Sequence, residues 1–348
     1  MPLTNLSLRK LLESYLMDLF PSHRDLQIIE LQKITLGWET EKYSLTMSYD
    51  GATGRNQQDL FIRVFVDQNA AEHATREHRV MTKLHELGFP VPKIFCLELD
   101  KSPLAGPFMM MEKISGRSLM SFLLEASEEE TSTLLSQFCE IWVNLHQLDW
   151  NSFAADPSKI ILEDPLWYIN QSLSEREGHL KRHQEAQMLL PILEWLKARS
   201  SEVLCQQLSL IHGDYHPNNV LMRDNGALFV IDWGAAKLDD FRADLGWTVL
   251  LTTTYGYSVR ESLLNEYERL SGIQIEQIEY FEVLAILRRL SDLVVSLAPT
   301  SGAGTLGMRP EAIQMMKQDA FHYKNVYSLL QKRTGLDLPE IEAILASL

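Results

Sequence analysis

The chain has 348 residues, 45% hydrophobic and 23% charged, and its 32 Lys and Arg against 47 Asp and Glu give a formal net charge of −15. That is room for about two domains, with cores large enough to need no disulfide staples. The acidity weighs against a nucleic-acid backbone as main partner. No run approaches the ~18 apolar residues of a membrane span. Cys96, Cys139 and Cys205 lie far apart and no apolar leader opens the chain, which points to a reduced, cytoplasmic protein.

Residues 8–20 carry Leu8, Leu11, Leu12, Tyr15, Leu16 and Leu19 at helical spacing. Strand patterns follow over 26–36, 42–49 and 59–66, the last two joined by the turn-rich Asp50-Gly51-Ala52-Thr53-Gly54. Residues 69–87 read as a helix stopped by Gly88 and Pro90, and 93–99 and 107–113 as further strands. The expectation is a five-stranded antiparallel sheet with one long helix after its third strand. From 118 onward helices dominate: 118–124, 127–147, 166–179, 184–206, 240–253, 259–271, 275–297 and 311–333. One strand-and-loop island, 208–236, interrupts them. The pattern changes at Ser115-Gly116, which divides the chain into lobes 1–115 and 116–348 of an α+β fold.

The island carries the chemistry. Leu210-Ile211-His212-Gly213-Asp214-Tyr215-His216-Pro217-Asn218-Asn219-Val220-Leu221 is followed by Leu228-Phe229-Val230-Ile231-Asp232-Trp233-Gly234. Apolar runs flank both polar clusters, so each is expected at the end of a buried strand, with Asp214, Asn219 and Asp232 at one end of a small hairpin. Two carboxylates and an amide oxygen suit a hard cation such as Mg²⁺, which takes few protein ligands and keeps waters and phosphates. A spare carboxylate can accept a proton or orient a hydroxyl. Asp and Asn are also common turn formers, and His216 and Pro217 read as loop shape.

This segment resembles the catalytic loop of the aminoglycoside phosphotransferase (choline kinase-like) superfamily, a branch of the protein-kinase-like fold. The shared pattern is His212-Gly213-Asp214, then Asn219, and later Asp232 opening a metal-binding turn. The resemblance covers about residues 30–330. It implies a bilobal fold with a nucleotide-binding N-terminal lobe and a mainly helical lobe for catalysis and acceptor binding. It further implies ATP (or GTP) in the cleft between them, Mg²⁺, and transfer of the γ-phosphoryl to a hydroxyl. Asp214 would orient that hydroxyl and take its proton, and Asn219 and Asp232 would hold Mg²⁺. Arg63, in Phe61-Ile62-Arg63-Val64-Phe65, would hold the phosphates where protein kinases use Lys. Glu77 on the next helix would hold Arg63, being better placed than Glu72. Met111 would line the back of the base pocket, and the backbone of Glu112 and Ile114 would face the base edge. Gly37 lies in the turn corresponding to the one that covers the phosphates. Asp244, in Arg242-Ala243-Asp244-Leu245-Gly246-Trp247, would brace the catalytic loop.

Other readings are weaker. Gly302-Ala303-Gly304-Thr305-Leu306-Gly307 matches a dinucleotide fingerprint, but helical patterns flank it where the motif needs a preceding strand. His212-x-Asp214-x-His216 would begin a metal hydrolase site only with further ligands at strand ends. A kinase-like module without catalysis is opposed by the joint presence of Arg63, Asp214, Asn219 and Asp232. The acceptor leaves no motif. With −15 on the chain and no positive cluster visible in the larger lobe, it is expected to be cationic or neutral: an amino sugar, an amino alcohol, a polyol or an antibiotic-like compound.

Overall fold

The computed structural model describes residues 5–34, 40–100, 103–104, 106–157, 160, 163–297, 314 and 317–348. Gly37 and the Gly302–Gly307 run lie outside the described residues. The chain forms two compact units, and the first takes in Arg223–Gly234 as well as the residues up to Gly116. The sequence pattern puts one lobe boundary at 115/116; the compact units change over after Gly116 and exchange chain again inside the island, at Arg223 and after Gly234.

The first unit opens with helix α1 (Asn5–Leu19) and five strands: β1 (Arg24–Ile34), β2 (Thr40–Gly51), β3 (Gly54–Phe65), β4 (Ile94–Glu98) and β5 (Phe108–Glu112). Helix α2 (Ala70–Glu86) links β3 to β4. The sheet order is β1-β2-β3-β5-β4, every pairing antiparallel. Strand period sends alternate side chains to opposite faces. Leu60, Ile62 and Val64 of β3 enter a core with Leu12 and Leu16 of α1, Leu45, Met47 and Met110. Arg63 therefore faces the other way, as does Lys42, its register partner on β2. On α2 the buried positions are Ala74, Glu77, Val80, Met81 and Leu84, one helical face with a single carboxylate in it. Strand β9 (Leu228–Val230) belongs to this unit: Val230 N donates to Pro90 O at 2.8 Å, and the Trp233 ring meets the edge of Phe89.

In the second unit, β6 (Arg117–Ser118) pairs with β8 (Val220–Met222), and β7 (Leu208–Ile211) with β10 (Lys237–Asp240), both antiparallel. The β10 partner was not expected from the sequence. The helices are α3 (Leu119–Leu123), α4 (Glu128–His146), α5 (Trp167–Arg182), α6 (Leu190–Lys197), α7 (Arg242–Thr254), α8 (Arg260–Ser271), α9 (Ile278–Leu297), α10 (Ala320–Thr334) and α11 (Pro339–Ser347). Ser127 and Glu130 cap each other at the start of α4. The helix expected over 184–206 is broken: 3₁₀ turns at Gln184–Leu189 and Ser200–Glu202 flank the short α6. Pro191 causes the first break, since it lacks an N–H and fits only a first turn. Helices α7 and α9 are buried on nearly all sides and form the centre of this unit.

Candidate active site

The first unit gathers four charges on the α2 face of its sheet. Arg63 Nη1 meets Glu77 Oε1 at 2.9 Å and Asp232 Oδ1 at 2.6 Å. Lys42 Nζ lies 3.6 Å from Asp232 Oδ2. Glu77 is 2% exposed and its Oε2 is buried without a hydrogen-bond partner among the described residues. Burial pushes the Glu77 carboxyl up, Arg63 pulls it back, and the Asp232 charge adds to the rise. Asp232 holds φ at +67°, a left-handed conformation that costs an L-residue roughly 1–2 kcal/mol. Strain of this kind is kept where the surroundings over-determine it. Here two cations fix the carboxylate, and Arg76 Nη2 bonds Gly234 O at 2.9 Å two residues on. Gly234 packs closely under this cluster: a Cβ there would stand 3.0 Å from Arg63 Nη2 and would press on that guanidinium.

In the same unit, Met111 is 6% and Ile114 8% exposed at the end of β5. The Glu112 N–H is engaged by Lys93 O at 2.8 Å, so only the carbonyl of that residue is left for a base edge. The Glu112 side chain pairs with Arg223, whose guanidinium lies 4.4 Å over the Phe229 ring.

The second unit builds its site around Asp214. The Trp247 Nε1–H donates to Oδ1 at 2.7 Å, and Asn219 Nδ2 donates to the Asp214 carbonyl at 2.9 Å and to Oδ2 at 3.2 Å. His216 Nε2 is 3.6 Å from Oδ1. A third of the side chain stays open to solvent. Burial raises the carboxyl, but His216, Arg288 and Trp247 together hold it well below the usual aspartate range. The loop is pinned from beneath. Asp244, fully buried, accepts from His212 N at 2.7 Å and from Gly213 N at 2.6 Å. His146 and Trp142 bond the same Asp244. His212 Nδ1 accepts from Asp214 N at 3.2 Å, and Arg288 Nη1 donates to Gly213 O at 2.6 Å. Gly213 has φ +78°, and a Cβ on it would lie 2.5 Å from Ala235 O. No L side chain fits there.

The structure thus brings Arg63, Glu77 and Asp232 together in one unit, and Asp214 and Asn219 in the other. Sequence reasoning missed Lys42, Gly234, Trp247 and Arg288. Trp247 had a signal: three residues after Asp244 on one helix, the two share a face. Arg288 had a fainter one, as one of two adjacent arginines in the middle of a largely apolar helix.

The family model described as the phosphotransferase enzyme family (APH) matches residues 30–281. The chain belongs to this family. Its fold is that of the aminoglycoside phosphotransferases, an α+β arrangement with the five-stranded sheet in the N-terminal region and helices in the C-terminal region. A Ralstonia eutropha JMP134 protein, provisionally described as an aminoglycoside phosphotransferase, aligns at TM-score 0.62 and 18% identity over 92% of this chain and 98% of that one. Spectinomycin phosphotransferase APH(9)-Ia, solved with ADP and spectinomycin, aligns at 0.56 and 13% over 95% and 100%. A thermostable mutant of APH(4)-Ia, solved with ADP and hygromycin B, aligns at 0.53 and 15% over 92% and 97%. These likenesses are of fold. Curated relatives include acyl-CoA dehydrogenase family member 11 of Pongo abelii, 25% identical over 217 residues, and its Homo sapiens counterpart, 25% over 180 residues. The matches take in 58% and 50% of this phosphotransferase-family chain but only 27% and 22% of those longer proteins. Among the described residues no helix is long and apolar enough to cross a membrane, and no three His, Cys, Asp or Glu are grouped to hold a metal ion.

Proposed function

We propose that this family member is a small-molecule kinase, moving the γ-phosphoryl of ATP (or GTP) to a hydroxyl with Mg²⁺. The observation that carries the reading is Asp214: a partly open carboxylate, kept ionised, on a loop fixed by Asp244, His212 and Arg288. Phosphoryl transfer asks a protein mainly for positioning and charge neutralisation. A carboxylate held this low is a weak base but a strong, fixed acceptor. It orients the hydroxyl and takes the proton late, as the hydroxyl oxygen becomes acidic on bonding to phosphorus.

The donor chemistry fits Mg²⁺. Both bonds of Asn219 use Nδ2, which leaves its amide oxygen for a cation. Asp232 adds a carboxylate now neutralised by Arg63 and Lys42. Few protein ligands of hard oxygen are what Mg²⁺ takes beside waters and phosphates. Bound there, it would supply charge neutralisation at the phosphate oxygens. Arg63, steadied by Glu77, would hold the phosphates. Met111, the Glu112 carbonyl and the Ile114 backbone would take the base. The residues up to Gly116 would then be the nucleotide-binding part, and the later helices the acceptor-binding part, of a protein working in the cytoplasm.

Calorimetry with ATP in the presence and absence of Mg²⁺, paired with a turnover screen of hydroxyl compounds, tests the proposal. Metal-dependent nucleotide binding and phosphorylated product are expected. Nucleotide binding without any phosphorylated product would favour a nucleotide-binding module without catalysis, and lack of nucleotide binding would remove both readings.

A further inference from the structure

Strand register puts a second cation beside Arg63 in the first unit. Alternation along β2 sends Tyr43, Leu45 and Met47 into the core with α1, and so turns Thr40, Lys42, Ser44 and Thr46 to the opposite face. Across the ladder Lys42 stands opposite Arg63, and Ser44 opposite Phe61. Phe61 stands opposite Met111 on β5. Along β3 this face therefore passes in two residues from Phe61, beside the Met111 of the proposed base pocket, to Arg63 beside Lys42. Two residues of strand are about 7 Å, which leaves room for a ribose between a base and its phosphates.

Lys42 is the less committed of the two cations. Arg63 sits between two carboxylates, Glu77 Oε1 at 2.9 Å and Asp232 Oδ1 at 2.6 Å. Lys42 Nζ has one ion-pair partner among the described residues, Asp232 Oδ2 at 3.6 Å. That is an ion-pair distance, too long for a hydrogen bond. The Lys42 side chain is only 18% exposed, and its ammonium carries three donors. Glu77, 2% exposed, bonds Arg63. Asp232 is thus the counter-ion that the two cations share, and it is also the carboxylate assigned to Mg²⁺. With Asp232 engaged by a metal ion, Arg63 keeps Glu77, whereas Lys42 keeps no carboxylate of its own. A largely buried charge without an opposite charge is unfavourable. A nucleotide triphosphate brings more negative charge than one arginine and one divalent ion neutralise, so a second cation has work to do there.

We infer that Lys42 is a second phosphate-binding residue of the nucleotide site: its ammonium and the Arg63 guanidinium, side by side across β2 and β3, take phosphate oxygens of the donor, and Asp232 holds Lys42 in place until then. The inference rests on the kinase reading and adds to it a residue that no sequence motif contains. The two cations differ in what they offer. Arg63 presents a planar fork fixed by Glu77, while Lys42 presents a point charge on a flexible stem that can follow the phosphate chain. A Lys42 that served Asp232 alone would matter to folding and would treat nucleotide and nucleoside alike.

The test compares nucleotide with nucleoside. ATP, ADP and adenosine are titrated calorimetrically into the full chain with Mg²⁺ present, for the wild type, Lys42→Gln and Lys42→Arg, and thermal melts confirm that each variant is folded. Lys42→Gln should weaken ATP and ADP at least about ten-fold, the scale of one charge-assisted hydrogen bond, and leave adenosine unchanged. Lys42→Arg should recover part of the loss, since the charge survives. Undiminished ATP affinity in a folded Lys42→Gln, or an equal loss for ATP and adenosine, overturns the inference. A second measurement uses the unaltered protein. Amines are acylated and the labelled peptides are quantified by mass spectrometry. Lys42 should be protected by ATP–Mg²⁺ and not by adenosine, and a Lys42 as reactive with one as with the other overturns the inference. If the wild type binds ATP–Mg²⁺ and forms phosphorylated product while Lys42→Gln keeps full ATP affinity, the inference falls and the kinase reading stands. If the wild type binds no nucleotide, both fall.

Discussion

At the scale of residues, the site divides into groups that hold charge and groups that hold position. Asp214 does the first because Trp247, Asn219 and His216 do the second. Asp214→Asn keeps the shape and removes the charge. Turnover is expected to fall at least ~10²-fold, the scale of lost acid–base assistance, with nucleotide affinity nearly unchanged in calorimetry. Wild-type turnover in this variant would remove Asp214 from the mechanism. Its depressed carboxyl has a second consequence: kcat/KM should show no acidic limb near pH 4–5 from this group. Arg63 is tested by a pair of changes. Arg63→Met strips the cation from Glu77 and Asp232 and should raise KM for ATP about ten-fold or more. Arg63→Lys keeps charge without the fork and should recover part of that loss. Equal, negligible effects of both would place Arg63 outside nucleotide binding.

At the scale of elements, helices α7, α9 and α10 meet at one histidine. Arg289 Nε, an obligate donor, points at His322 Nε2 at 2.9 Å. Nε2 must therefore accept, and Nδ1–H donates to Thr254 Oγ1 at 2.9 Å, which itself donates to Leu250 O at 2.6 Å. The chain of bonds has no place for a second proton. Burial, helped by Arg289, pushes His322 from 6.5 down to about 3. Below about pH 6.5 the unfolded chain takes up a proton that the native state refuses, so stability falls as pH drops. The contribution is up to about 1.4 kcal/mol per pH unit. Thermal melts between pH 7.5 and 5.5 check this. His322→Gln can keep both bonds and should flatten the decline in Tm, and parallel curves would clear His322. The helices themselves were largely legible in the sequence, because hydrophobic period and caps such as Ser127 are local. Three features were not. Pro191 breaks a pattern whose apolar spacing continues through it. β10 is specified by its pairing with β7. And α11 begins beyond Gly335 and Leu338, past the expected end of the last helix.

At the scale of the whole chain, the first unit is not contiguous. Residues 223–234 supply Trp233, 1% exposed against Phe89, and Asp232, the second counter-ion of Arg63. A fragment of residues 1–116 lacks both. It should melt well below the same fragment extended by residues 223–234 through a flexible linker. A gain of several degrees is expected, which in a domain of this length corresponds to about 1–2 kcal/mol. Coincident melts would show that the segment adds nothing to the unit. Scale also explains which site residues could be read in advance. Asp214, Asn219 and Asp232 sit in one short stretch of sequence with a recognisable spacing. Lys42 reaches Asp232 only through strand register, and Arg288 reaches Gly213 only through helix packing. Charge distribution was the least legible property, since a sum over the chain says nothing of which charges meet.

Gly213 bears on how related sequences should be interpreted. Its left-handed backbone and the Ala235 carbonyl 2.5 Å from any Cβ exclude every other residue, whatever the protein does. A descendant that abandoned catalysis would still need this glycine to fold the loop. The middle letter of His-Gly-Asp therefore reports architecture, and the third letter reports chemistry. In a saturation library, position 213 should be intolerant in any selection for folding. Position 214 should become intolerant only when the selection demands turnover. The motif is two signals superimposed, and only their separate erosion would date the loss of an activity.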